Sequence, residues 1–98
     1  MKQPSVYILA SRPNGTLYVG VTSDLITRVY QHRTNAVPGF TQRHKVHSLV
    51  WFEMHENMLA AISREKQLKN WSRAAKVRLI EALNPNWIDR WGEIAADV

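Results

Sequence analysis

Arg28 and His32 stand four residues apart in the stretch SDLITRVYQHR. At about 100° per residue, Leu25, Ile26 and Val29 form the buried arc of a helix. Arg28 and His32 then lie one turn apart on one flank of that arc. A guanidinium offers a planar donor fork that matches phosphate oxygens, and an imidazole transfers or relays a proton near neutral pH. Together they could serve one phosphate. Two polar surface residues beside a core stripe are the plainer alternative.

A second helical stretch, MLAAISREKQLKNW, places Met58, Ala61, Ile62 and Leu68 on one arc, with Glu65 and Lys69 inside it. A carboxylate on an apolar arc costs desolvation unless it is paired or binds a cation. One reading is an ordinary Glu-to-Lys pair at i, i+4 in the favourable orientation. The other is a carboxylate at the floor of a cleft, completed by waters and substrate phosphate around Mg²⁺ or Mn²⁺. Tyr7 and Tyr18 flank an Asn-Gly turn in SVYILASRPNGTLYVG and are expected opposite each other on a hairpin. They read either as cross-strand packing or as phenols. A phenol ionises near 10 and acts as a base at neutral pH only where cations favour its charged form. His44, His47 and His55 show no convincing metal-ligand spacing, although His44 sits in a basic loop suited to phosphate.

These residues belong to a chain of 98 amino acids, 45% apolar, with four tryptophans and no cysteine. That is one small domain able to bury a modest core, with no disulfide and no thiolate metal site. No apolar run is long enough to span a membrane. The N-terminal MKQPSVYILA has too short an apolar stretch for a signal peptide, and a cytoplasmic location is expected. The net charge is +5 but is unevenly spread. From Arg28 to Arg78 there are ten Lys or Arg against three Glu, a local +7, whereas residues 79–98 hold four acids and one Arg, −3. A concentrated basic middle suits a phosphate-tracking surface, and equally a solvated basic face.

The elements that must position these side chains follow from punctuation. Strands are expected at 5–11 and 16–21 around Pro13-Asn14-Gly15, then a helix capped by Thr22 or Ser23, with Asp24 in its first turn, running to about Arg33. Residues 34–45 read as a loop through Pro38-Gly39. VHSLVWFEM reads as a third, central strand. Asn57 caps a helix over 58 to about 71, and Ser72 caps another over 73–83 that stops before Pro85. The tail is expected to pack Trp87, Ile88 and Trp91 and then fray. The order β-β-α-β-α-α predicts an α+β fold, a three-stranded antiparallel sheet with three packed helices. It forms a single domain over 1–98, with its core at about 4–84 and a tail at 85–98.

The ordered set resembles the GIY-YIG nuclease family. Its two signature tripeptides appear as Ser5-Val6-Tyr7 and Tyr18-Val19-Gly20, its helix arginine as Arg28, a later position as His32, and its metal-binding glutamate as Glu65, as in the small stand-alone bacterial members. The likeness runs from about Val6 to Trp71. The first tripeptide lacks Gly and Ile, and Val21 stands where some relatives carry Lys. The resemblance implies hydrolysis of a phosphodiester with one divalent metal, Mg²⁺ or Mn²⁺. Glu65 would hold the metal, and Arg28 would bind the scissile phosphate. Tyr7 would activate water, with the phenolate as one form, and Tyr18 would position it or share that role. His32 would relay a proton or hold phosphate, and Gly20 would permit close backbone approach at a strand-to-helix turn.

From charge alone, Lys45, Lys66 and Lys69 are candidates for flanking phosphates. A chain this short leaves no room for the recognition domain of larger relatives. Low sequence specificity is therefore expected, or specificity supplied by a protein partner. The expected function is a metal-dependent DNA endonuclease in repair or processing, acting on branched, nicked or single-stranded DNA. The alternatives are a non-catalytic nucleic-acid-binding module on the same scaffold, and a protein-interaction domain anchored by Trp71, Trp87 and Trp91.

Overall fold

SVYILA is apolar at consecutive positions, the pattern of a strand covered on both faces. The computed structural model, which describes residues 3–36 and 38–95, shows this for β1 (Ser5–Ala10), every residue of which is buried. β2 (Leu17–Thr22) returns antiparallel to it after a turn in which Asn14 takes the left-handed conformation, φ 58°. Arg73 donates to the carbonyls of Asn14 and Gly15 at 2.7 and 2.6 Å and holds that turn from below.

The other elements are α1 (Leu25–Arg33), α2 (Phe40–His44), β3 (Ser48–Met54), α3 (Met58–Asn70), α4 (Arg73–Leu83) and α5 (Trp91–Ala95). The fold is α+β with one three-stranded antiparallel sheet, in the order β2-β1-β3. Alternation along β1 sorts the core into two layers. Val6, Ile8 and Ala10 pack with Val19, Trp51, Ala61, Leu68, Ile80 and Trp87, and so against α3 and α4. Tyr7 and Leu9 pack on the other face with Leu25, Val29, Val46 and Leu49, closed by Trp91 and Ile94 of α5.

Two caps stand where the sequence puts them: Asn57 accepts from Ala60 N–H and Ser72 from Ala75 N–H. The first helix is capped by Asp24, not Thr22 or Ser23. Its carboxylate accepts from Thr27 N–H, while the Thr22 hydroxyl accepts from Asp24 N–H. The expected loop over 34–45 contains α2, whose five residues are too few to show a helical period. Gly39, at φ 119°, leads into it and Lys45, at φ 55°, closes it.

β1, not β3, is the central strand. β3 reads as interior because the chain beyond α4 covers its outer edge. The register of β3 against β1 slips at Val50, since Ile8 opposes Trp51 but Leu9 opposes Leu49. The groups this bulge frees are met by later residues. Asn84 Nδ2 donates to Val50 O at 3.0 Å, Leu49 N–H donates to Asp89 Oδ1, and Arg90 N–H donates to Leu49 O at 2.7 Å. Asp89 also pairs with Arg33.

In that tail Trp87 is buried, with its indole N–H donating to Glu81. Trp91 is partly buried under the Arg33 guanidinium, 5.3 Å from its ring centroid. Ile88 does not pack as expected; it is exposed, because Asn84 holds its backbone N–H and C=O and the φ of 56° at Trp87 turns the indole inward instead. Residues 91–95 form α5, and 96–98, where fraying was expected, lie outside the described residues. Among the described residues, no helix is long and apolar enough to cross a membrane.

The Asn84 side chain thus makes three hydrogen bonds from a buried position. Asn84→Ala is expected to cost about 2 kcal/mol by leaving the Val50 carbonyl unpaired, and to lower the melting temperature by roughly 10 °C or more. Thermal unfolding followed by circular dichroism measures it.

Candidate active site

Tyr7 faces the α1 layer from the central strand with 1% of its surface exposed. Its cross-strand partner is Gly20, and Tyr18 opposes Leu9. The tyrosines are therefore diagonal neighbours, not opposite ones, with ring centroids 6.3 Å apart. Gly20 lies inside β2 and not at the strand-to-helix turn. Its function there is steric: a Cβ at this position would overlap the Tyr7 ring and its hydroxyl. Only glycine lets the phenol lie across β2.

A buried hydroxyl needs a partner. Tyr7 Oη is 3.1 Å from His32 Nε2, and His32 Nδ1 is 2.9 Å from Thr41 Oγ1. His32 (2% exposed) and Thr41 are both buried, so the three form a chain running from β1 through α1 to α2. Tyr18 packs on the same imidazole, 5.3 Å between centroids. Sequence reasoning missed Thr41, since nothing local marks a threonine in a five-residue helix; the only available signal was that a buried histidine needs something on its second nitrogen.

Charge acts on this chain from both layers. Arg28, one turn before His32, donates to Gln31 Oε1 at 3.3 Å, and its cation is felt by Tyr7 and by His32. Glu65 comes from α3, beneath the sheet, and its carboxylate is close enough to act on Tyr7. Burial pushes the Tyr7 hydroxyl above its ordinary value; Tyr18 and Glu65 push the same way and Arg28 opposes them. Burial also lowers His32 below 6.5, reinforced by the charges of Arg28 and His47. At neutral pH both are uncharged.

The Glu65 side chain is 14% exposed, and its Oε2 pairs with Lys69 Nζ at 3.1 Å. Lys69 is therefore a partner of the glutamate, and Lys66 and Lys45 are exposed, Lys45 at the end of α2. Among the described residues, no three His, Cys, Asp or Glu cluster as a metal site. His47 meets Asn35 at 2.8 Å, His55 meets Glu53 at 2.9 Å, and His44 lies on Phe40. A lone carboxylate with one oxygen held by Lys69 suits a hard cation that keeps most of its water, and does not suit one that needs a full protein cage.

Residues 3–78 match the family described as the GIY-YIG catalytic domain. The chain belongs to the GIY-YIG family. UPF0213 proteins from Staphylococcus aureus strains Mu3 and Mu50 are 34% identical to it over 76 residues, 78% of this chain and 92% of theirs. The solution NMR structure of a UPF0213 protein from Bacillus halodurans resembles it with a TM-score of 0.56 at 23% identity, over 92% of this chain and 95% of that one. That likeness speaks to the fold.

Two outcomes follow for this GIY-YIG domain. Gly20→Ala forces the Tyr7 ring off its strand and is expected to cost about 1–3 kcal/mol of stability, measured by denaturant unfolding. His32 makes stability fall in acid. Above pH 6.5 it is neutral in both states and contributes no slope; below 6.5 the unfolded chain takes a proton that the folded one refuses. The loss is at most about 1.4 kcal/mol per pH unit from this group. Unfolding at pH 7.5 and 5.0 should show a larger loss for the parent than for His32→Gln.

Proposed function

We propose that this domain is a metal-dependent endonuclease that hydrolyses DNA phosphodiester bonds with low sequence specificity, in repair or processing, with branched, nicked or single-stranded DNA as substrate. The observation that carries the reading is the Tyr7–His32–Thr41 chain set between the charges of Arg28 and Glu65. An attacking water needs such a chain, because its proton must go somewhere.

Tyr7 is a neutral phenol, so it takes a proton from water only by handing on its own. In this reading His32 Nε2, 3.1 Å from the hydroxyl, receives that proton, for which a neutral His32 with its proton on Nδ1 has the lone pair. The balanced step moves water's proton to Tyr7 Oη and the phenol's proton to Nε2, with Nδ1–H donated to Thr41 Oγ1. Arg28 holds the scissile phosphate and offsets charge that grows on it. Tyr18 supports the imidazole and fixes the water's side of Tyr7. Glu65 would hold a divalent cation, Mg²⁺ or Mn²⁺, whose charge would offset the negative charge that grows at the phosphate. Lys45 and Lys66 serve flanking phosphates. Lys69 pairs with Glu65 and aims it.

A second reading, a binding module that has kept the scaffold, draws on Lys69, whose ammonium already occupies one oxygen of Glu65. Anchoring of a protein partner by the tryptophans is weakened by Trp87, which lies in the core, and by Trp71, over which Arg64 sits at 5.3 Å.

Cleavage of supercoiled plasmid, branched DNA and single-stranded DNA, with Mg²⁺ or Mn²⁺ and with chelator, decides between the two. Glu65→Ala and Arg28→Ala are each expected to lower the rate by about 10²-fold or more while leaving the thermal melt near that of the parent. Salt-sensitive binding without cleavage of any substrate by the parent would favour the binding module.

A further inference from the structure

α2 carries side chains that the proposed reaction leaves unused. Phe40 opens it, and 45% of its surface meets water. Its ring stacks on Tyr18, with centroids 6.2 Å apart and planes 29° apart, and His44, one turn on, lies 4.4 Å from it. A row of rings therefore runs outward from the buried phenol: Tyr7, Tyr18, Phe40, His44.

The row is fixed in place. Gly39 supplies the φ of 119° that aims α2, and Lys45 closes it with its N–H on the carbonyls of Thr41 and Gln42. Thr41, between Phe40 and the basic end, is the residue bonded to His32. The ledge is thus tied to the proton-accepting imidazole itself. Around it Gln42, Arg43 and Lys45 are exposed, and no Asp or Glu occurs in the sequence from Leu25 to Phe52. An apolar protein partner has no use for that charge pattern, whereas a polyanion with aromatic bases matches both features.

We infer that Phe40 is a stacking platform for an unpaired nucleobase beside the scissile phosphate, with Arg43 and Lys45 taking the neighbouring phosphates. The inference rests on the nuclease reading of the Tyr7 site and names the subsite that would select unpaired strands there. Aromatic stacking tolerates any base, which agrees with low sequence specificity, and it needs a base face that a continuous duplex keeps covered. Phe40 touches no reacting atom; it positions substrate.

Binding of a fluorescent single-stranded oligonucleotide and of its duplex, in chelator, tests the inference by anisotropy. Phe40→Leu keeps apolar bulk on Tyr18 without a ring, and Phe40→Trp restores a ring. Phe40→Leu is expected to weaken single-strand binding by about 5- to 150-fold and duplex binding by less than twofold, and Phe40→Trp to bind as the parent does. An oligonucleotide of abasic sites should bind the parent as weakly as the intact strand binds Phe40→Leu. Equal loss on single strand and duplex, or no loss, would overturn the inference by reducing Phe40 to an anchor for α2. Should Phe40→Leu fail to fold, equal affinity of the parent for intact and abasic strands would overturn it alone. Cleavage by the parent with metal is scored separately: if it fails while the stacking result holds, the catalytic reading falls and the platform stands.

Discussion

Tyr7 places a phenol on the central strand of a three-stranded sheet, and a buried phenol has two needs. Its ring needs space and its hydroxyl needs a partner. Gly20 provides the space by having no side chain at the position directly across β2. His32 provides the partner, and Thr41 fixes His32 in turn. One ring therefore dictates a glycine in β2, an imidazole on the inner side of α1 and a hydroxyl in α2. The hairpin, the first helix and the connection to β3 are held in register by the same hydrogen-bonded chain. In such a chain each member fixes the next, and loss of one leaves a buried polar group exposed to a low dielectric.

The charges around Tyr7 act in opposition, and their balance sets its chemistry. Arg28 favours the phenolate, whereas Glu65, Tyr18 and burial disfavour it, and burial is the largest effect. The proton stays on Tyr7 at neutral pH. Burial, Tyr18 and Glu65 therefore favour the protonated phenol. The same burial keeps His32 uncharged and able to accept. One buried environment thus acts on both groups and disfavours the charged form of each.

The sequence carried much of this, though unevenly. Asn57 and Ser72 announced their helices because capping is local chemistry, written within three residues. Glu65 stood out because a carboxylate on an apolar arc is a local conflict. The strand order was misjudged for a non-local reason: β3 looks like a central strand because Asn84, Asp89 and Arg90, some forty residues later, supply the pairing that a third neighbour would. α2 and Thr41 were invisible for the opposite reason. Five residues after Pro38-Gly39 have no period to detect, and what holds them is a contact to His32 nine residues back. The tyrosine offset depends on register, which a six-residue strand does not declare.

A sheet of three strands has two edges, and the tail covers only the edge of β3. The other, β2, carries Tyr18 and Gly20 and, among the described residues, has β1 as its only strand neighbour. α1 lies above that side of the sheet and α3 below it, so Arg28 and Glu65 reach the Tyr7 neighbourhood from opposite layers. This is why the candidate side chains lie far apart in sequence and yet share one location. On the β3 edge a bulge had to be repaired with Asn84, Asp89 and Arg90. The central strand thus carries the phenol, and the layers on the two faces of the sheet carry the charges that act on it.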